Sequence, residues 1–170
     1  MIAWILAFAW AAEPPSCDEM SWPEPAEMLS VAWVSPVGQT VGRRGTVDVV
    51  ATADLKSFVA EEAKGSIGRM LQHLGLRKRA RDPARRYKVV VFDVRRADLC
   101  RPVVGYENPA ALNGVASCTP RASKPDSDST GCGYTVDRSS GEPGLVEYQA
   151  EWADLARNGF CVLPAERFVQ

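Results

Sequence analysis

The sequence is poor in the residues that metal and catalytic sites use. It contains one histidine, His73, and five cysteines, none of them in a C-x-x-C pair. A structural zinc site needs closely spaced ligand pairs, so no metal site is predicted. The glycines at Gly38, Gly42 and Gly45 lack the Gly-Lys-Ser/Thr of a phosphate-binding loop. The sequence therefore predicts no cofactor and no catalytic residue set.

Long apolar runs are also missing. Residues 2–12 contain eleven apolar side chains, fewer than the about 20 that a helix needs to cross a bilayer. This length suits the apolar core of a secretory signal, and Ala9 and Ala11 stand at the spacing that signal peptidase reads. No lysine or arginine precedes the run, and a buried N-terminal helix or strand is the alternative. We predict a signal peptide at residues 1–12 and a secreted or periplasmic protein; without cleavage the protein would be cytoplasmic.

Charge is distributed unevenly, although the net charge is only −1. Residues 1–42 carry five acidic side chains and no basic one, residues 43–101 carry a net charge of +8, and residues 102–170 a net charge of −4. Such asymmetry indicates either a polyanionic partner for the basic middle or acidic flanks that fold over it. The pI of about 5.9 argues against nucleic-acid binding and favours the second interpretation.

The clearest surface feature is the basic segment, residues 77–86, with six basic side chains and one acidic one. Pro83 and the charge density predict a loop between a helix and a strand. We predict that the segment contacts an acidic protein or another polyanion. The alternatives are a solvated loop and a loop that pairs with the acidic residues 13–27. The predicted contact residues are Arg77, Lys78, Arg79, Arg81, Arg85 and Arg86.

The cysteines predict a disulfide-stabilised protein in an oxidising compartment. The segment between Cys118 and Cys132 contains no large apolar side chain, so we expect a disulfide across its ends to hold it as a surface loop. Cys100 and Cys161 are the second predicted pair, and Cys17 remains free or forms an intermolecular bond. Spacing alone does not determine the connectivity, and five reduced cysteines in a cytosolic protein are the alternative.

Three segments have strand composition: residues 28–34, 46–52 and 87–94. The last contains the longest apolar run after the N-terminus and is predicted to be buried on both faces. Apolar side chains recur every three to four residues between Leu55 and Leu74, which predicts one long helix. Asp54 is its predicted N-cap and Gly75 its left-handed C-terminal stop. A break at Ser66 is the simplest explanation of the glycines inside it.

The C-terminal part predicts a hairpin of residues 133–137 and 145–148 with a turn between them. Tyr148, Trp152 and Leu155 have the spacing of one helix face, so a short helix is expected before Gly159, followed by a last strand at 160–163. These elements predict an α+β fold: a small mixed sheet with one long and one short helix packed on it, and disulfide-stapled loops. One domain is predicted at residues 28–170, after an acidic, proline-rich leader at residues 13–27.

Four polar residues would form an enzyme site if the fold brought them together: Asp93, Asp98, Glu107 and His73. The two aspartates follow the end of the central strand, where open α/β sheets place ligands, although the neighbouring arginines are equally good partners. His73 lies at the edge of the apolar stripe, where we expect a packed, hydrogen-bonded histidine. We therefore predict a binding module. A small hydrolase or transferase is the first alternative and nucleic-acid binding the second.

Overall fold

The computed structural model describes residues 24–39, 45–76, 83–103, 114–119 and 132–170. The predicted signal peptide and most of the acidic leader lie outside these ranges. In chain order the elements are β1 (Met28–Pro36), β2 (Thr46–Ala51), α1 (Thr52–Glu61), α2 (Ile67–His73), α3 (Pro83–Arg86), β3 (Tyr87–Arg95), β4 (Cys100–Pro102), β5 (Ala116–Cys118), β6 (Tyr134–Val136), β7 (Pro143–Glu151), α4 (Trp152–Leu155), β8 (Phe160–Pro164) and α5 (Ala165–Phe168).

The strands form one mixed sheet, which confirms the predicted α+β class. Its order is β5-β4-β7-β2-β1-β3-β8, and β6 pairs with β7 outside this path. Among the described strands, the β4–β5 pair is parallel and the other pairs are antiparallel. Because β2 and β3 both run antiparallel to β1, they are parallel to each other with β1 between them, and α1 and α2 connect them.

Alternating side chains of the central strands build two apolar cores, one on each face of the sheet. Val89 packs on the face that α1, α2 and α5 cover, which we call the α1–α2 face. Val90, one residue further, packs on the other face with Leu99 and with Leu155 of α4, which we call the α4 face. This alternation follows from the two-residue period of a strand. It confirms that the strand predicted at residues 87–94 is buried on both sides.

The predicted long helix is two helices. Lys64 and Gly65 have φ of 48° and 76°, a left-handed conformation in which an α-helix does not continue. Ser66 then caps α2, its side chain accepting a hydrogen bond from the Arg69 backbone N–H at 3.2 Å. The break at Ser66 is thus confirmed, but the predicted N-cap is wrong. The first helix begins at Thr52, and Asp54 lies in its first turn. A negative charge at this position interacts favourably with the positive end of the helix dipole.

Two further helix predictions need correction. Tyr148 belongs to β7, which is longer than predicted, and the short helix is only α4 followed by a 3-10 turn at Ala156–Asn158. The basic segment, predicted as a loop, ends in the helical turn α3. Proline is common at the first position of a helix because its φ is already near the helical value. The N–H that proline lacks would have no hydrogen-bond partner within the helix at this position.

No described helix has the length and apolar character needed to cross a membrane.

Candidate functional site

The basic segment ends in α3 on the protein surface. Ala84 packs against the core of the α1–α2 face, and the Arg86 carbonyl oxygen accepts a hydrogen bond from the Val37 backbone N–H at 2.9 Å. These contacts hold the turn in place, while Arg85 and Arg86 are exposed. The other predicted contact residues, Arg77, Lys78, Arg79 and Arg81, lie outside the described ranges.

Several arginines of the described chain pair with acidic groups or lie inside the protein. Arg69 pairs with Asp137, Arg95 and Arg157 pair with Asp98, and Arg96 pairs with Glu24 and Glu27. Arg167 is exposed on α5, which lies beside α3. Arg85, Arg86 and Arg167 therefore form one exposed basic surface, which we call the α3 basic surface.

The acidic N-terminal flank contacts the basic middle at the other end of β3. Glu24 Oε1 lies 3.0 Å from Arg96 Nη1, and Glu27 Oε2 lies 3.3 Å from Arg96 Nη2. Arg96 directly follows β3, whereas α3 directly precedes this nine-residue strand, so the two positions are about 30 Å apart. Glu24 and Glu27 thus fold against the basic middle without covering α3.

The disulfide connectivity differs from the prediction. Cys100 bonds to Cys118, with 5.7 Å between the Cα atoms, because β4 and β5 pair and Cys118 lies two residues beyond Ala116, the register partner of Cys100. Cys132 is also disulfide-bonded, whereas Cys161 is an exposed free thiol. The predicted pairs Cys118–Cys132 and Cys100–Cys161 are both wrong.

Strand order explains why the second pair is impossible. Cys161 lies on β8, and four strands separate β8 from the β4 strand of Cys100. Five spacings of about 4.8 Å place the strands about 24 Å apart, whereas a disulfide requires Cα atoms within about 7 Å.

A polar cluster joins α2 to the β6–β7 hairpin, and we call it the Asp137 cluster. Asp137 is only 2% exposed, yet it accepts hydrogen bonds from three side chains. These are His73 through Nδ1 at 2.8 Å, Arg69 through Nη1 at 3.0 Å and Ser139 through its hydroxyl at 2.6 Å. The Ser139 backbone N–H donates to the same carboxylate at 2.8 Å. Burial alone would raise the pKa of Asp137, but these bonds outweigh it and hold the pKa well below its usual range.

His73 is packed as well as hydrogen-bonded, as the sequence predicted. Its ring stacks on Phe58, with centroids 3.7 Å apart and planes 3° from parallel. An imidazole held by a carboxylate resembles half of a hydrolase triad in geometry, but a triad also needs a nucleophile on the second ring nitrogen. Within the described ranges, no serine, threonine or cysteine side chain bonds His73 there. The His73–Asp137 bond links α2 to the β6–β7 hairpin.

The four candidate enzyme residues do not form one site among the described residues. Asp98 follows β3 and pairs with Arg95 at 2.8 Å and Arg157 at 3.1 Å, and the hydrogen bond from Arg95 lowers its pKa. Asp93 is exposed near the end of β3. His73 belongs to the Asp137 cluster on α2, and Glu107 lies outside the described ranges. No group of three or more potential metal ligands occurs in the described part of the chain.

No protein-family model, curated protein or solved structure matches this chain. A proposal for its function therefore rests on its own residues and their geometry.

Sequence reasoning missed two features. Arg101 is 0% exposed, and its guanidinium carbon lies 5.4 Å from the centre of the Tyr148 ring. Burial lowers the pKa of Arg101 and raises the pKa of Tyr148. Arg101 stands between Cys100 and Pro102 in a segment with no strand pattern, so no signal marked it as internal. The second feature is the apolar side of β8, whose strand composition was recognised but whose position at the sheet edge was not.

Proposed function

We propose that this protein is an exported, non-catalytic binding module that engages an acidic protein through the basic segment. The observation that carries the proposal is the exposure of Arg85 and Arg86 on a turn whose backbone is anchored to the core. An anchored turn presents its guanidinium groups with little loss of backbone freedom on binding, which favours recognition of carboxylates.

The arrangement of other charges supports this assignment. Glu24 and Glu27 pair with Arg96 at the other end of β3, so neither of them covers α3. Among the described residues of α3 and α5, the exposed charged side chains are Arg85, Arg86, Arg167 and Glu166, so their formal net charge is positive. Such a surface attracts acidic partners in a salt-dependent manner.

Disulfide bonding supports the exported location. Disulfides such as Cys100–Cys118 persist mainly in oxidising compartments. If residues 1–12 are a signal peptide, N-terminal sequencing of the secreted or periplasmic protein will begin at Ala12 or Glu13. A mature protein that begins at Met1 would refute the export proposal.

The binding proposal is tested with poly-L-glutamate as the acidic probe. We expect the double charge reversal R85E/R86E to weaken binding to labelled poly-L-glutamate by roughly tenfold, because two attractive contacts become repulsive. Fluorescence anisotropy at low and high salt measures the effect, and the wild-type affinity should fall as salt rises.

The matched control is R95E/R157E, which makes the same change in net charge at two exposed arginines beside Asp98, at the end of β3 opposite to α3. This control should bind poly-L-glutamate nearly as well as the wild type. Equal loss in both double variants would mean that only net charge matters and would remove the assignment to α3. Tighter binding to a DNA duplex than to poly-L-glutamate would instead favour the nucleic-acid alternative.

A further inference from the structure

The last strand, β8, leaves an apolar edge open. It pairs with β3 on one side, and within the described ranges no strand pairs with its other side. Phe160 is 46% exposed and Val162 is 45% exposed, and the strand contains no charged side chain. Sheet edges are usually protected by lysine, by bulges or by a covering element, because unpaired backbone groups there recruit another strand.

The exposed Phe160 ring is already fixed in place. It packs on Phe92 with centroids 5.8 Å apart and on Trp152 with centroids 5.5 Å apart, both on the α4 face. An aromatic side chain that is rigid before binding loses little entropy when a partner covers it. The edge therefore has the properties of a docking strand.

We propose that β8 pairs antiparallel with β8 of a second copy of this chain, which joins the two sheets into one. A two-fold axis at Cys161 places Phe160 of each copy opposite Val162 of the other, so the apolar contact between Phe160 and Val162 forms twice. Such a symmetric interface is the usual one in homodimers. It also removes the open edge from both copies.

Charge along the edge fits a second copy in this orientation. At the Pro164 end, the described residues of α3 and α5 have a positive formal net charge, from Arg85, Arg86 and Arg167 against Glu166. Near the Phe160 end, Asp93 is exposed on β3, and it follows Phe92, the residue paired with Phe160. The charged residues around Asp93 pair largely with one another: Arg95 and Arg157 with Asp98, and Arg157 also with Asp154. Antiparallel pairing brings the acidic end of one copy to the basic end of the other.

Cys161 reports the register without any engineered label. Residues directly opposite in an antiparallel pair have Cα atoms about 4.5–5.5 Å apart, so the two Cys161 thiols would face each other across the axis. A short bismaleimide, which alkylates one thiol at each end, should therefore join two chains through Cys161. Peptide mass spectrometry identifies the linked residues, and C161S should give no linked product.

The dimer itself is tested by analytical ultracentrifugation of the full mature chain across micromolar concentrations. The wild type should sediment as a concentration-dependent dimer, and V162K should weaken the dimer by at least about tenfold, because two lysines would then lie in the apolar interface. The matched control is V37K, the same substitution at a valine that is 52% exposed in the turn after β1. Val37 lies beside α3 and not on β8, so V37K should weaken the dimer much less than V162K does.

A wild-type monomer at every concentration would overturn the proposal. So would equal weakening by V37K, or cross-links that do not include Cys161. If V162K fails to fold, the wild-type cross-linking result still decides. This inference goes beyond the proposed function and fails separately from it, because V162K should retain binding to poly-L-glutamate.

Discussion

Asp137 is the residue on which the contact between α2 and the hairpin depends. It is buried, and the hydrogen bonds from His73, Arg69 and Ser139 are strongest when the carboxylate that accepts them is ionised. A buried carboxylate without these donors would prefer its neutral form. Here the donors reverse that preference, so the charged form is part of the native state.

Stability should consequently fall in acid through Asp137. Its pKa in the folded protein lies below the unfolded value of about 4, so the contribution to the free energy of unfolding is fully present above that value and is lost as pH falls below it. D137N should cost about 1.5–3 kcal/mol at neutral pH, because it removes charge-assisted hydrogen bonds. Urea unfolding at a series of pH values measures both effects.

D98N is the control for this prediction, since Asp98 also has a lowered pKa but pairs with largely exposed arginines. The free energy of unfolding of D98N should still fall below about pH 4 almost as much as that of the wild type. In D137N this fall should be smaller, because no carboxyl group is left at residue 137 to be protonated. Parallel pH curves for the wild type and D137N would contradict this role.

At the scale of elements, the hairpin completes the C-terminal end of α2. The last carbonyl groups of a helix lack partners within it. Gly75, with φ of 71°, closes a left-handed turn in which the Leu76 N–H bonds the Leu71 carbonyl oxygen at 2.8 Å, as the sequence predicted. The β6–β7 hairpin supplies donors for two other carbonyl groups at the end of α2. Thr135 Oγ1 donates to the His73 carbonyl oxygen at 2.9 Å, and the Arg138 backbone N–H donates to the Gln72 carbonyl oxygen at 2.9 Å.

Gly144 is the point of closest approach between these elements. A Cβ atom at this position would collide with the His73 carbonyl oxygen and with Thr135 Oγ1. We expect G144A to destabilise the protein by about 1–3 kcal/mol, because one contact is backbone and cannot rotate away. Thermal and urea unfolding measure the loss.

G38A is the matched control for G144A. A Cβ atom at Gly38 would meet no atom within 4 Å, so the substitution should change stability by less than about 1 kcal/mol. Equal stability of the two variants would show that the hairpin moves away from α2 without cost.

At the scale of the whole molecule, strand order decides which distant residues meet. Cys100 and Cys118 become neighbours because β4 and β5 pair, and Cys161 is excluded because β8 is at the other edge of the sheet. The same order leaves β8 as an edge and places the α3 basic surface at one end of it.

The connectivity can be checked directly. Peptide mapping of the unreduced protein should recover Cys100 linked to Cys118 and Cys161 as an alkylatable thiol. Removing the bond with C100A/C118A should lower the free energy of unfolding by about 3 kcal/mol. The two cysteines are 18 residues apart in the sequence, and without the bond this loop is no longer closed in the unfolded chain. C161A, the control, should change stability little. Recovery of Cys118 linked to Cys132 would contradict the strand pairing.

The predictions that succeeded concern local order. Each depends on residues that are close together in the chain. They are the three N-terminal strands, the break at Ser66, the helix end at Gly75 and the β6–β7 hairpin. The helix start was wrong by three residues, and Tyr148 was assigned to a helix because apolar spacing fits both structures over so short a stretch. His73 was correctly expected to be packed. Its partner Asp137 lies 64 residues away in the chain, and no sequence pattern predicts a contact over that separation.

By itself the sequence determined the α+β class, most of the strands and the basic segment, because periodicity, turn residues and charge are properties of neighbouring residues. Only the tertiary structure decided the disulfide, the Asp137 cluster, the buried Arg101 and the open edge at β8. These depend on which strands become neighbours, and that choice is made by burying two apolar faces of one sheet at once.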